Sequence, residues 1–312
     1  MKEFTFGVFT YNQDQFIFEN LESIKYQIEK YGEGTSFSLV MSDDCSLDNT
    51  VVYAKEWLKK NADLFDRIEI NSAKSNQKIV NNYVALLRRI RTRDFKILAG
   101  DDLYYKNNFL FLNSDADVCI TAVAGFDGNN IVPLGNNYNF KRMLISKNLK
   151  SYISERIKYS NCIDAPGVFY KRTLVDECLF NRLKEYSWIE DVPMWNHFIN
   201  IKESTVNICS DVFILYRQSI GISNNADHPM NKGYLEDLKR IQDNIHTNYR
   251  FPFSLYHRLN KSLFKRLTNV YLDAHSKEIL DYNKKMTEVS IEGNEYLSLI
   301  KERAAEYDYM KK

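Results

Sequence analysis

Residues 95–104 read FKILAGDDLY, an apolar run followed by a glycine and two adjacent carboxylates. The run predicts a buried parallel strand, because such strands are nearly continuous in apolar residues. In open α/β sheets, ligands bind beyond the carboxyl ends of the strands, which is where Asp101 and Asp102 stand. Two adjacent acids repel each other unless a cation joins them, and Mg²⁺ or Mn²⁺ suits carboxylate oxygens. A solvated turn is the alternative interpretation, since Gly and Asp are common in turns.

The sequence before this stretch alternates between β-rich runs and helical patterns. The predicted order is strand 4–10, helix 15–31, strand 37–41, helix 49–61, strand 67–70, helix 76–91 and strand 96–99. Such alternation indicates an α/β fold, with a parallel sheet between layers of helices. The strand at 37–41 is also followed by two acids, Asp43 and Asp44. Because parallel strands share an edge for their carboxyl ends, both acidic pairs are expected on the same side of the sheet.

The amino-acid composition limits the classes of protein to which this chain can belong. The 312 residues carry a net charge of only +1, which argues against a nucleic-acid-binding protein. The five cysteines are scattered without CxxC spacing, so neither a zinc site nor a disulfide framework is expected, and a reducing compartment fits best. The sequence shows neither a secretory signal nor a long apolar stretch. We therefore expect a cytoplasmic protein that is soluble or at most peripheral to a membrane.

The sequence from residue 118 onward is less regular and changes character near residue 226. Residues 118–124 predict a strand, residues 164–170 a Pro-Gly turn that leads into a short strand, and residues 206–216 one or two strands. A helix is expected at 192–199 after two further acids. Residues 232–312 are charged and mostly helical. Within them, residues 255–272 form a basic amphipathic pattern. Such a helix could rest on an anionic membrane surface, or it could be a docking or oligomer helix with a solvated basic face.

Seven short motifs in this order resemble those of family 2 glycosyltransferases, which have the GT-A fold. They are VFTYN at 8–12, SDDCSLDNT at 42–50, the asparagine-bearing helix with Asn76 and Asn82, AGDD at 99–102, APGVFYKR at 165–172, and the pairs Glu190–Asp191 and Tyr216–Arg217. Together they cover about residues 4–224. Cys45 stands where the signature has glycine, and Ser219 stands where a histidine often follows the Tyr-Arg pair.

The resemblance implies a Rossmann-like, mostly parallel sheet flanked by helices. Its nucleotide-sugar-binding half would be 1–118, its acceptor-binding and catalytic half 119–225, and its helical C-terminal extension 226–312. It also implies an inverting, Mn²⁺- or Mg²⁺-dependent transfer from a nucleotide sugar, UDP-linked by expectation, to a glycan or lipid-linked acceptor in surface polysaccharide synthesis.

The resemblance also assigns roles to residues. Asp191 would be the catalytic base and Asp102 the metal ligand; the nucleotide would be bound by Thr10, Tyr11, Asp43, Asn82 and Asp101, and the acceptor by Gly167, Trp188 and Glu190. In this scheme Asp43 accepts the N3–H of uracil.

Several alternatives remain open from the sequence. Glu190 and Asp191 could be capping charges at the start of a helix, and Trp188 could be a core residue rather than a surface on which a sugar stacks. A non-catalytic glycan-binding or scaffold protein of the same fold is a second function class. A sugar-nucleotide nucleotidyltransferase is a third, although residues 10–14 (TYNQD) lack the glycine-rich loop that it would need.

Overall fold

The computed structural model describes residues 2–110, 112, 116–132, 134, 137–218, 231–245, 267, 270–271, 273–274 and 276–310. Its first part alternates strands and helices as the sequence predicts. The elements are β1 (Lys2–Thr10), α1 (Ile17–Tyr31), β2 (Thr35–Asp43), α2 (Thr50–Asn61), β3 (Arg67–Ser72), α3 (Lys78–Arg89) and β4 (Asp94–Ala99). The predicted α/β fold class is confirmed.

These four strands form one parallel sheet in the order β3-β2-β1-β4. The register pairs Thr10 with Asp43 and Phe9 with Ala99, so β1, β2 and β4 end side by side. Alternate residues of β1 point to opposite faces of the sheet. Phe4, Phe6 and Val8 belong to the apolar cluster that α1 and α2 cover, whereas α3 packs on the cluster of the other face. Burial on both faces explains the apolar strands that the sequence shows.

The second part of the chain adds a mixed sheet. Its elements are β5 (Leu103–Tyr104), β6 (Val118–Phe126), β7 (Ile131–Val132), α4 (Asn137–Leu144), α5 (Leu149–Ile157), β8 (Val168–Tyr170), α6 (Glu177–Leu183), α7 (Asp191–Asn200) and β9 (Val206–Arg217). The strand order is β5-β9-β6-β7, and β8 also pairs with β6. Only β6 and β9 run parallel; the other pairs are antiparallel. The three predicted strands are present, whereas α4, α5 and α6 are helices that the sequence did not predict.

The C-terminal part is helical where it is described, as α8 (Asn231–Asn244) and α9 (Lys277–Ala305). α9 packs on the first part of the chain. The hydroxyl of Tyr296 donates to the carbonyl oxygen of Tyr104 at 2.7 Å, and Arg303 pairs with Glu29 at 2.8 Å. The helical extension is thus attached to the sheet and to α1, while the domain boundaries at 118 and 226 stay predictions.

Some predictions fall on residues that the structure does not describe. Ser219, the boundary near 226 and most of the amphipathic segment 255–272 lie outside the described residues. Within the described part of the chain, no helix combines the length and the apolar character needed to cross a membrane.

Candidate active site

A cavity of about 530 Å³ opens at the edge where β1, β2 and β4 end. Its walls come from both halves of the chain and from α8. Among the residues that the sequence assigns to a site, those lining it are Thr10, Tyr11, Asn82, Asp101, Asp102, Trp188, Glu190 and Asp191. The fold therefore brings together two acidic pairs that are far apart in sequence. Asp43 and Gly167 are not among its lining residues.

Asp101 and Asp102 stand side by side just beyond β4. Gln13 Nε2 donates to Oδ1 of Asp101 at 2.9 Å, and the backbone N–H of Arg217 donates to Oδ1 of Asp102 at 2.9 Å. Burial raises the pKa of both carboxyls, and the neighbouring charge of Asp101 raises the pKa of Asp102 further. Two charged carboxylates at this place are therefore disfavoured on their own, and a cation in the cavity would offset both desolvation and repulsion.

Arg217, a cation that contacts this turn, is already engaged. Its guanidinium pairs with Glu19 at 2.6 Å and lies over the rings of Phe16 and Phe126, 4.3 and 4.4 Å from their centroids. Arg217 also holds the turn, because its Nε donates to the carbonyl oxygen of Asp101 at 2.8 Å. The carboxylates still face the cavity, and an all-oxygen donor pair fits a hard divalent cation such as Mg²⁺ or Mn²⁺.

A tight contact at Gly100 positions this acidic turn. A Cβ atom added to Gly100 would lie 2.6 Å from Gln13 Oε1 and 2.7 Å from Thr10 Cγ2. A side chain at position 100 would therefore require the side chains of Thr10 and Gln13 to shift.

We expect Gly100→Ala to lower the free energy of unfolding by about 1–3 kcal/mol, because the added methyl group overpacks Thr10 and Gln13. Urea denaturation measures this change. Ser75→Ala, at an exposed loop position, is the control and should stay within about 0.5 kcal/mol of wild type. Equal stability of the two variants would show that the turn accommodates the added methyl group without loss of stability.

The two acids at the end of β2, Asp43 and Asp44, differ in their surroundings. Asp43 is 1% exposed, and its carboxylate accepts hydrogen bonds from Thr10 Oγ1 and from the backbone N–H of Ser46, each at 3.0 Å. Asp44 lines the cavity instead. Cys45 follows with φ of +64°, a left-handed conformation that favours glycine, at the position where the resembling signature has glycine. The structure thus places Asp44, not Asp43, at the cavity.

Asn82 and Gly167 have structural partners of their own. Asn82 Nδ2 donates to the carbonyl oxygens of Thr10 (3.3 Å) and Ser42 (3.2 Å), so it ties together the ends of β1 and β2. At Gly167 an added Cβ atom would lie 2.6 Å from the Thr121 carbonyl oxygen. Glycine is therefore required there for the close approach of the turn to β6, and the cavity wall is formed by Ala165 and Pro166 just before it.

Glu190 and Asp191 lie at the start of α7. Oδ1 of Asp191 accepts the backbone N–H of Val192 at 2.6 Å, and Oδ2 accepts Nδ2 of Asn161 at 2.8 Å. Burial raises the pKa of Glu190 to about 8 and that of Asp191 to about 6, and the charge of Asp191 adds to the shift of Glu190. Asp191 thus bonds a backbone N–H in the first turn of α7 and also lines the cavity, while Glu190 stands at the N-cap position without a side-chain capping bond.

Several residues that the sequence did not assign also line the cavity. Lys96 is 3% exposed, donates to the carbonyl oxygen of Val168 at 2.8 Å, and has its pKa lowered to about 7 by burial. Lys78, Asn161 and Tyr234 reach the cavity from three other parts of the chain. Lys96 could have been singled out from the sequence, because a lysine is unusual within an apolar strand. No pattern in the charged segment after residue 226 marks Tyr234 as a site residue.

Comparisons with known proteins agree with this architecture. A family model described as Glycosyl transferase family 2 matches residues 5–169, which include β1 to β4, the acidic turn and the start of β8. No curated protein matches the chain in sequence.

Solved structures share its fold at low identity. The crystal structure of S. aureus TarS 1-349 in complex with UDP-GlcNAc is 15% identical, with a TM-score of 0.52 over 100% of this chain and 92% of that one. The same protein in complex with UDP is 19% identical, with a TM-score of 0.50 over 70% of this chain and 61% of that one. Against a longer TarS structure, the match covers only 39% of TarS. These similarities confirm the predicted GT-A fold.

Proposed function

The chain belongs to glycosyl transferase family 2, and from that premise we propose that it transfers a sugar from a nucleotide donor to a hydroxyl group of a glycan or lipid-linked acceptor. One observation carries the proposal: the pairs Asp101–Asp102 and Glu190–Asp191 line a single cavity at the carboxyl edge of the sheet. A displacement at a sugar carbon needs stabilisation of the leaving diphosphate and a base for the incoming hydroxyl. The pair Asp101–Asp102 would hold the cation that stabilises the diphosphate, and the pair Glu190–Asp191 would supply the base.

The nucleotide would bind at the ends of β1 and β2. Thr10 and Tyr11 line this part of the cavity, and Tyr11 offers a ring for stacking on the base. We assign the contact with the uracil N3–H to Asp44 rather than Asp43, because Asp44 lines the cavity and Asp43 does not. The crystal structures of TarS with UDP and with UDP-GlcNAc make UDP the nucleotide to test first.

Asp102 would hold a divalent cation, Mn²⁺ or Mg²⁺, with Asp101 beside it at the ribose or at the waters of the ion. When bound, the ion supplies positive charge next to the diphosphate on which negative charge develops. The protein contributes rigidity: Arg217 fixes Oδ1 of Asp102 and the carbonyl oxygen of Asp101, and Gln13 fixes Oδ1 of Asp101.

Asp191 would be the base of an inverting transfer. Its carboxylate takes the proton of the acceptor hydroxyl as the hydroxyl oxygen attacks the sugar from the side opposite the diphosphate. Asn161 and the N–H of Val192 fix the orientation of Asp191 and favour its ionised form. Glu190, with the higher pKa, stays protonated at neutral pH and would hydrogen-bond the acceptor.

The reaction would belong to surface polysaccharide synthesis in the cytoplasm, at the inner face of the membrane if the acceptor is lipid-linked. This location follows from the proposed substrates, which are a soluble nucleotide sugar and a growing glycan.

The rate should depend on pH through Asp191. Only the ionised carboxylate can accept a proton, and its pKa is raised to about 6, so kcat/KM should fall about tenfold per pH unit below that value. Asn161→Ala removes a hydrogen bond that stabilises the anion, so the acid limb should move to higher pH. A pH profile of both proteins measures this. An acid limb that stays in place in Asn161→Ala would contradict the assignment.

Calorimetric titration with UDP, with and without Mn²⁺, tests the proposed function at the level of binding. We expect UDP to bind in the presence of Mn²⁺ and to bind weakly in EDTA. Absence of UDP binding under both conditions would argue against a UDP-sugar donor. Binding of UDP without turnover of any nucleotide sugar would favour a non-catalytic protein of the same fold.

A further inference from the structure

Helix α8, in the segment without a recognisable motif, forms part of the cavity wall. Tyr234 and Leu238 line the cavity from one face of the helix. Asp237 and Ile241, on the same face, are 0% and 1% exposed. Positions 234, 237, 238 and 241 follow the spacing of a single helical stripe. Within it, Asp237 and Ile241 pack against the protein, whereas Leu238 is 39% exposed at the cavity.

The buried Asp237 joins α8 to the loop before Glu190. Its Oδ2 accepts the backbone N–H groups of Ser187 (2.7 Å) and Trp188 (2.6 Å), and its Oδ1 pairs with Arg240 at 2.8 Å. A carboxylate that accepts two backbone N–H groups in a buried place is a strong, directional contact. The bonded amides lie two and three residues before Glu190.

Other contacts hold the same loop on both of its sides. Gly233 lies against the Trp188 indole so closely that a Cβ atom would be 2.0 Å from Nε1. Arg240 reaches the carbonyl oxygen of Glu185 at 3.3 Å. From the opposite side, the N–H of Val80 in α3 donates to the carbonyl oxygen of Ser187 at 3.1 Å. The loop that leads to the acidic pair is therefore clamped between α3 and α8.

We propose that α8 forms an acceptor subsite for a sugar ring, with Tyr234 as a contact residue, and that Asp237 is a positioning residue for the loop carrying Trp188, Glu190 and Asp191. This inference rests on the proposed function. We place Tyr234 on the acceptor side because it lines the same cavity as Glu190 and Asp191, and because α8 is bonded to the loop before that pair. Aromatic rings bury the apolar C–H face of a sugar, and adjacent carboxyl groups bond its hydroxyls, so this corner offers both contacts.

The contact role is tested with methyl glycosides of glucose, galactose, mannose and N-acetylglucosamine as probes. Saturation-transfer NMR in the presence of UDP and Mg²⁺ measures their binding to the full chain without requiring turnover. We expect at least one glycoside to bind and Tyr234→Ala to weaken it at least fivefold, with UDP affinity within twofold of wild type. Binding of none of the glycosides, or unchanged binding in Tyr234→Ala, would overturn the subsite.

The positioning role is tested with Asp237→Ala, Asp237→Asn and, as a matched control on the exposed side of α8, Asp243→Ala. Amide hydrogen exchange of a peptide covering 185–191 should be at least tenfold faster in Asp237→Ala, and closer to wild type in Asp237→Asn, whose side-chain oxygen can still accept both N–H groups. The rate at which a UDP-sugar donor is hydrolysed to UDP and free sugar should fall at least tenfold in Asp237→Ala, with the affinity for UDP unchanged. Unaltered exchange in Asp237→Ala would refute the positioning role.

The two proposals fail differently. If the wild-type chain neither binds UDP nor turns over a nucleotide sugar, the proposed function is wrong, whatever the loop does. If the wild-type chain binds UDP and turns over a donor, but Asp237→Ala matches Asp243→Ala in amide hydrogen exchange and in donor turnover, only the role of α8 is wrong.

Discussion

Asp102→Asn is expected to weaken Mn²⁺-dependent binding of UDP at least about 100-fold, which corresponds to about 2.8 kcal/mol. Asparagine keeps an oxygen that can accept the N–H of Arg217, so the turn should hold its shape while the charge that attracts the cation is lost. Because the diphosphate then lacks its counter-charge, donor turnover should fall by a larger factor than affinity.

Calorimetry with UDP in Mn²⁺ and in EDTA measures the effect of Asp102→Asn. Asp44→Asn is the informative companion, because it should weaken UDP binding equally with and without Mn²⁺ if Asp44 contacts the base. Asp43→Asn should chiefly reduce stability, since its carboxylate is bonded within the protein. If Asp102→Asn bound UDP with wild-type affinity in Mn²⁺, the metal assignment would be wrong.

Asp191→Asn is expected to lower kcat about 10³-fold, within the range of about 10²- to 10⁴-fold that a general base contributes. The amide can still accept the N–H of Val192, so the start of α7 should stay intact. It cannot take a proton from the acceptor hydroxyl. UDP affinity in Mn²⁺ should stay within twofold of wild type, because the nucleotide is expected at the other end of the cavity.

Glu190→Gln is the matched control for Asp191→Asn. It changes the neighbouring carboxyl, of nearly the same burial, and should raise the KM for the acceptor with a smaller loss of kcat. Initial rates with a saturating donor separate the two parameters. A near-normal kcat for Asp191→Asn, or an equal loss of kcat in both variants, would contradict the assignment of Asp191 as the base.

The alternating half of the fold could be predicted because local pattern and tertiary burial agree there. The strands of the parallel sheet are buried on both faces, so they are apolar throughout, and α3 shows its buried face in Val80, Tyr83 and Leu87. α4, α5 and α6 were not predicted because they are short, with 8, 9 and 7 residues, so each gives little periodic signal. The two-residue strands β5 and β7 exist only through their pairing with β9 and β6.

The site could be predicted at the level of motifs but not of side-chain direction. Asp43 and Asp44 are adjacent in sequence, and only the structure shows that Asp44 is the one that lines the cavity. The ion pair of Arg217 with Glu19 joins residues 198 positions apart, and Asp237 lies 49 positions from Trp188. Such pairings depend on the three-dimensional arrangement, so they cannot be predicted from local sequence patterns.

Release of nucleoside diphosphate from nucleotide sugars tests the central claim most directly. The purified full chain would be incubated with UDP-glucose, UDP-galactose, UDP-GlcNAc and GDP-mannose in Mn²⁺, with the methyl glycosides as acceptors, and compared with Asp191→Asn. We predict release from at least one donor that requires the metal and is lost in Asp191→Asn. Release from none of the donors, together with no binding of UDP or GDP, would contradict a glycosyltransferase that uses these donors.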